Sequence, residues 1–362
     1  MPSPFVQTEA PVVASGSKKD VDVDTSGEEP DERLVSPFAQ GLPRWKPLQT
    51  VVTAGANRQE CLLSLVDCSA CGYFAASTSL TTVRVFDCHT LQEVGCLAGH
   101  QDAIRSVRFV PQLNSLITAS EDGSWQMTDL RTGESQTTVR VAEGSSLFSL
   151  DCNGRVVAAG CDLLGDIVLW DLRNNANQLG VLDEFHTDEV RDLRFHPVQR
   201  SMLISGSVDC LVNKFDLNAA TLDDALVSVF NVGQPVRSFG TFGPNHEYLH
   251  SVSEIETLAL CDLAQGDLLG TFPNACESLS KDLSTRYLVD CTFDPVSQQL
   301  CLVSGNYYGD CMGSIVAPQS LTPAFLMTGG HDQGVRSLCS IGGRIVTGGE
   351  DSRIVCWAPN NT

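Results

Sequence analysis

Lysine is scarce in this chain: five occur in 362 residues, against eighteen arginines. Acidic side chains outnumber basic ones 44 to 23, for a formal net charge of -21. A surface of that sign repels a phosphate backbone, whose binding rests on a dense positive footprint, so nucleic acid is not expected as a direct partner. Long apolar runs are also lacking. None approaches the roughly 18 residues that span a bilayer, and the opening MPSPFVQTEAPVVASG has neither the basic start nor the continuous apolar stretch of a secretory leader. No membrane is therefore expected as a partner. Three common catalytic signatures are missing too: no GxGxxG, no phosphate-binding P-loop and no GxSxG elbow. An amphipathic 3.6-residue period of any length is absent.

Cysteine, in contrast, is abundant. Fifteen is an odd number, and most sit within apolar runs such as RIVCW and QLCLVS. That pattern suits buried, reduced thiols in a cytoplasmic or nuclear protein better than a disulfide framework. Cys68-Ser-Ala-Cys71 is a lone CxxC with no second pair to complete a zinc site. His246 and His250 lie in HEYLHSV, which reads as a strand, where a spacing of four gives no easy chelate. No metal and no cofactor are expected.

Residues 1–45 differ from the rest. SGSKKDVDVDTSGEEPDERLVSP is charged and poor in aromatics, and such a segment buries too little apolar surface to offset its ordering entropy. It is expected to be a disordered acidic tail. It carries a net charge of -4, which leaves -17 on residues 46–362. From Lys46 onward, short runs of Val, Ile, Leu, Phe and Thr alternate with Gly, Asp, Asn and Pro turns, an all-β texture. The runs VRVFD, WQMTD, IVLWD, VNKFD, LALCD, GSIVA and IVCWA recur about 41 to 55 residues apart. A period near 40–45 residues with four strands per unit is the signature of a β-propeller.

GHQDAIRSVRFVPQLNSLITASEDGSWQMTD, FHTDEVRDLRFHPVQRSMLISGSVDCLVNKFD and GHDQGVRSLCSIGGRIVTGGEDSRIVCW resemble WD repeats. The resemblance extends over residues 46–358 and implies seven blades. It also implies a buried relay of His, Ser or Thr, Asp and Trp in each well-formed repeat. The seventh unit has all four, as His331, Thr347, Asp351 and Trp357. The fourth has His186, Ser205 and Asp209, with Phe215 in the Trp position. The second has His100, Thr118 and Asp122, with Thr128 in the Trp position. These groups are expected to lock the blades rather than to catalyse, because buried polar networks of this kind specify a unique core. The last unit, however, ends after its third strand, and a free edge invites aggregation. In WD propellers the N-terminal strand typically completes the last blade, so LQTVVT (48–53) is expected to pair with the strand ending at Trp357 and close the ring.

Candidate binding residues fall in two groups. AIRSV, EVRDL, PVRSF and GVRSL place Arg105, Arg191, Arg237 and Arg336 where, by the resemblance, the innermost strand opens beside the central channel. Pairing with neighbours such as Glu121 and Glu350 is one expectation. A rim that grips an acidic peptide, carboxylate or phosphate is the other, since guanidinium forks suit those groups. The second group is Asp129 and Arg131 in TDLR, with Trp170, Asp171 and Arg173 in WDLR. Tandem Asp-x-Arg endings resemble those of propellers that serve as substrate receptors on cullin-4 ubiquitin ligases through an adaptor, although Asp-x-Arg also makes a local turn bridge. Finally, an acidic propeller attracts basic proteins, and escorts of nascent ribosomal proteins include such propellers. The expected function is a non-enzymatic scaffold for protein–protein interaction in the cytoplasm or nucleus, monomeric within larger complexes. The ligase receptor and the ribosomal-protein escort are its alternatives.

Overall fold

A strand buried on both faces need not alternate polar and apolar residues, and the middle strands of each repeat do not. Ser115–Ser120 (SLITAS) is buried along its whole length. The outermost strand of the same repeat, Ser135–Arg140 (SQTTVR), alternates exposed and half-buried residues. This contrast sets the architecture: four-stranded antiparallel sheets stack face to face around an axis, with the middle strands buried and the outer strands meeting solvent. The computed structural model describes residues 41–53, 60–141, 145–162, 165–174 and 178–359. Within them, 28 strands form seven four-stranded blades. Of the tail expected over residues 1–45, residues 1–40 lie outside the described residues.

The inner strands of blades 1 to 7 are Leu62–Cys68, Ile104–Val110, Leu147–Cys152, Val190–Phe195, Val236–Phe242, Tyr287–Asp294 and Val335–Ile341. Each runs from one face of the ring, called here the upper face, to the lower one. The seventh blade supplies only three strands from its own repeat, and the fourth is Arg44–Val52. That closing strand pairs antiparallel with Arg353–Ala358, from Lys46↔Ala358 to Val52↔Arg353. The register slips between Pro47 and Gln49, beside a proline that has no N–H to give a ladder. The strand starts at Arg44, two residues ahead of the boundary expected at 46. Its first residues run parallel to the outer strand of blade 6, at Arg44↔Leu326 and Trp45↔Met327. Trp45 stacks on Phe325 with ring centroids 4.1 Å apart, and Leu42 packs against the core between blades 5 and 6.

One element was not expected. A nine-residue helix, Ala275–Leu283, connects blades 5 and 6 and buries Ala275 and Leu279 in the same core. It accounts for the widest spacing in the repeat pattern, between LALCD and GSIVA. His246 also departs from its expected strand. It sits in the preceding turn with φ 57°, and the strand begins at Tyr248.

If closure depends on this strand, removing residues 41–53 lowers the melting temperature by about 10 °C or more, the equivalent of several kcal/mol in a domain of this size. Removing residues 1–40 leaves it unchanged. Differential scanning fluorimetry of the two truncations separates these outcomes.

Candidate interaction surfaces

The three histidine relays share one geometry. In blade 7, His331 Nδ1 lies 3.0 Å from Asp351 and Nε2 lies 2.8 Å from Thr347 Oγ1, while Trp357 Nε1 donates to the same hydroxyl at 2.8 Å. In blade 4, His186 meets Asp209 at 2.9 Å and Ser205 at 2.7 Å. Phe215 fills the Trp position and packs edge-on to Phe185. In blade 2, His100 meets Asp122 at 3.0 Å and Thr118 at 2.8 Å, and Thr128 is buried in the Trp position. Each aspartate also accepts the backbone N–H of the residue after its histidine, at Gln101, Thr187 and Asp332. Burial works against each charged carboxylate, yet these bonds hold Asp122, Asp209 and Asp351 below the usual carboxylate range.

The rim is built by a different device. In all seven inner strands the pairing register slips at one residue, and the residues skipped are Leu63, Arg105, Phe148, Arg191, Arg237, Val289 and Arg336. A bulge frees its residue from the ladder and re-aims the side chain. The four arginines expected at the rim are therefore bulge residues, and Leu63, Phe148 and Val289 hold the same position in blades 1, 3 and 6. Those three carry no arginine, so the repeated phrase did not reveal them. The residue after each bulge is Ser or Asp throughout: Ser64, Ser106, Ser149, Asp192, Ser238, Asp290 and Ser337. Several of these reach across to the next blade. Ser106 donates to Leu150 O, Ser149 to Val190 O and Ser337 to Leu62 O, while Asp192 accepts from Phe239 N–H.

Each rim arginine has an acidic mate. Arg105 pairs with Glu121 through its Nε at 2.7 Å, Arg191 with Glu189 at 2.5 Å, Arg237 with Glu256 at 3.3 Å and Arg336 with Glu350 at 2.6 Å. Arg105 and Arg191 also flank the Phe148 ring, at 5.7 and 4.9 Å from its centroid, and Arg336 lies over Tyr287 at 5.3 Å. A second layer lies below them. Arg108 and Arg194 both reach Asp192, at 2.6 and 3.1 Å. Together the two layers line a channel cavity of about 480 Å³. Arg108 and Arg194 follow the bulges by three residues, and their FVP and FHP contexts gave no sign that they face the axis.

On the lower face, both Asp-x-Arg pairs close a turn at the end of a third strand. Arg131 donates to Asp129 at 2.6 Å and Arg173 to Asp171 at 2.5 Å. The arginine beside each aspartate holds its carboxyl below the usual range. The guanidinium-bearing side chains stay 70% and 65% exposed. Trp170 is buried 6.0 Å from the Trp125 ring, so only the Asp and Arg of that motif reach the surface. Cys68 and Cys71 are not brought into a ligand set. Among the described residues, no group of three or more His, Cys, Asp or Glu is placed to hold a metal, and burial pushes thiols such as Cys261 and Cys301 up to about 12. No helix among the described residues is long and apolar enough to cross a membrane.

Seven such blades, with the His–Ser/Thr–Asp relays between their strands, define a WD-repeat β-propeller. The WD domain, G-beta repeat family matches residues 91–129, 177–216 and 324–358, the three segments that end in the relay-bearing second, fourth and seventh units. The chain is 30% identical to the WD repeat-containing protein 89 homolog of Dictyostelium discoideum, over 79% of this chain and 80% of the relative. It is also 30% identical to the WD repeat-containing protein GTS1 of Arabidopsis thaliana, over 78% and 77%. A guanine nucleotide-binding protein subunit beta of Zea mays is 29% identical over 40% of each chain. The chain belongs to the WD repeat-containing protein 89 family.

Two measurements probe the relays. Trp357→Phe keeps most of the ring packing and removes one buried donor, so it costs about 1 kcal/mol in urea unfolding. The second is pH dependence. Burial lowers His100 and His196 below their ordinary value of 6.5. His196 Nδ1 accepts from Val198 and Gln199 N–H while Nε2 faces His246 O, an arrangement that only the neutral ring makes. The unfolded chain therefore binds more protons than the fold as pH drops through 6.5, and stability is full above that value and lost below it. The urea midpoint falls between about pH 7.5 and 5.5, and falls less in His196→Gln.

Proposed function

We propose that this chain is a non-enzymatic scaffold that works in the cytoplasm or nucleus and holds a partner protein on its upper rim. WD-repeat proteins are generally interaction scaffolds, and the observation that carries the site is the ring of seven bulges. It aims Arg105, Arg191, Arg237 and Arg336 at the channel mouth, with Phe148 between two of them. Arginine and aromatic side chains in a partly desolvated ring are the composition of interface hot spots. The glutamates at 121, 189, 256 and 350 neutralise much of the rim, so an acidic segment binds there by exchanging one carboxylate for another in the guanidinium forks. The fifteen free thiols suit a reducing compartment.

A second reading rests on the lower face. Arg131 and Arg173 stand at equivalent turns of adjacent blades, each held by its own aspartate and exposed. That is a geometry on which a ligase adaptor can dock, with the propeller as substrate receptor. The escort of a basic ribosomal protein rests on the net charge of -21 alone.

Arg105→Glu with Arg336→Glu abolishes partner recovery from the rim in an affinity purification compared with wild type, and Phe148→Ala reduces it about tenfold or more. Recovery unchanged by both substitutions rules out the rim. In the same comparison, Arg131→Ala with Arg173→Ala removes a cullin-4 adaptor only if the receptor reading holds; an adaptor retained by that variant rules the reading out.

A further inference from the structure

Acidic side chains outnumber basic ones nearly two to one in this chain, yet one corner of its lower face is basic. Arg155 lies in the turn after the inner strand of blade 3, and Arg200 in the corresponding turn of blade 4. Both are exposed, and neither forms an ion pair with any described residue. The two turns are tied together by the Asn153 side chain, whose Nδ2 donates to Arg200 O at 2.9 Å. Between the two turns opens a cleft of about 570 Å³. Its apolar lining comes from Val156, Leu217 and Leu179, the last 54% exposed on the outer strand of blade 3. Among the described residues the one carboxylate that lines it is Asp171, which bonds to Arg173 and also feels the charge of Arg155.

From this juxtaposition we propose that the cleft between blades 3 and 4 is a docking site for a short acidic segment of a partner protein, one with a large apolar side chain between carboxylates. The apolar residue sits on Val156, Leu179 and Leu217, and the flanking carboxylates take the open forks of Arg155 and Arg200. The charge argument selects the occupant. Two unpaired guanidiniums beside an exposed leucine offer nothing to a basic partner, and an arginine pairs with a carboxylate more strongly than with a neutral acceptor. Arg131 and Arg173 are each neutralised by their own aspartate, so the guanidiniums of Arg155 and Arg200 are what attract an acidic partner to this corner. The site is separate from the channel rim, on the opposite face, and does not depend on the rim binding anything.

A random peptide library displayed on phage and selected on the full-length protein tests this. Peptides that carry two or more Asp or Glu around a Leu, Ile or Phe are expected to enrich. A synthetic copy of the strongest, measured by fluorescence anisotropy, loses tenfold or more in affinity on Arg155→Glu with Arg200→Glu, and about threefold on Leu179→Ser. Arg105→Glu leaves it unchanged. All four substitutions are at exposed or half-exposed side chains, and melting curves verify the fold of each variant. Enriched peptides without acidic residues overturn the proposal, as does affinity indifferent to the double reversal. Tighter binding of an oligothymidylate to the same two arginines assigns the corner to phosphate and overturns it as well.

Discussion

A ring of sheets is stable only if its first and last members are joined, and here the join is the antiparallel pairing of Arg44–Val52 with Arg353–Ala358. The outward-facing backbone groups of the last blade's third strand find their partners there, while the inward-facing ones pair with Arg344–Gly349. Without it that strand is an edge, with buried Ile354, Cys356 and Trp357 behind it. The closing strand also reaches sideways, pairing with the outer strand of blade 6 through Arg44 and Trp45. It therefore stitches three parts of the chain at once: the start, the sixth repeat and the end. A contact of such large sequence separation carries a high loop-closure cost. Once formed, it makes the inner strands a fixed circle, and the position of every rim residue follows from that circle.

Within the circle, polar side chains do work that apolar packing alone cannot. Ser106, Ser149 and Ser337 each donate to a carbonyl of the following blade, and Asp151 and Asp192 accept a backbone N–H from the next inner strand. These bonds satisfy backbone groups of the inner strands, each of which has a neighbouring strand on one side only, and such groups are costly if buried without partners. At the junction of blades 5 and 6 the same task falls to Arg237, which donates to Leu288 O and Val289 O, and to Glu256, which accepts from Leu288 N–H. Between blades 6 and 7 it falls to the Tyr287 hydroxyl, which accepts from Val335 N–H at 2.7 Å. The arginines at the channel mouth are thus fixed at their bases by the bulges and held at their tips by the rim glutamates and, for Arg237, by the carbonyls of blade 6.

The sequence made legible whatever repeats and little that occurs once. The period of the apolar runs located the blades, and His331, Thr347, Asp351 and Trp357 were identifiable because they recur at matching offsets in other units. The closing strand was foreseen from a missing strand, although its start at Arg44 was not, since Arg-Trp-Lys-Pro has no strand-like alternation. The helix at Ala275–Leu283 was hidden by its brevity; only the long gap between repeats signalled extra structure. Phe148, Leu63 and Val289 were missed for a different reason. They share a backbone position with the rim arginines and not a side-chain type, and position was visible only after the register slips were known. Arg155 and Arg200 lie in turns 45 residues apart, and no local pattern announces that two turns will share a cleft.

The blades without a histidine show what the relay is for. In blade 1, Thr78 Oγ1 accepts the N–H of Leu80 at 3.1 Å within that turn. In blade 5, Thr257 donates to Ser253 across the turn at 2.7 Å. In blade 6, Asn306 accepts the N–H groups of Tyr308 and Asp310 at the corresponding turn. Each solution satisfies a tight turn between the second and third strands, as the aspartate of a relay does, through different chemistry. The turn is therefore the invariant requirement and the histidine one way to meet it. Blades that meet it otherwise are free to diverge in sequence without leaving the ring. The two faces then carry unlike surfaces, a neutralised arginine rim above and a basic corner below, on one rigid circle. A scaffold that must hold two partners at once needs that separation, because ligands on opposite faces of a closed ring do not compete for the same space.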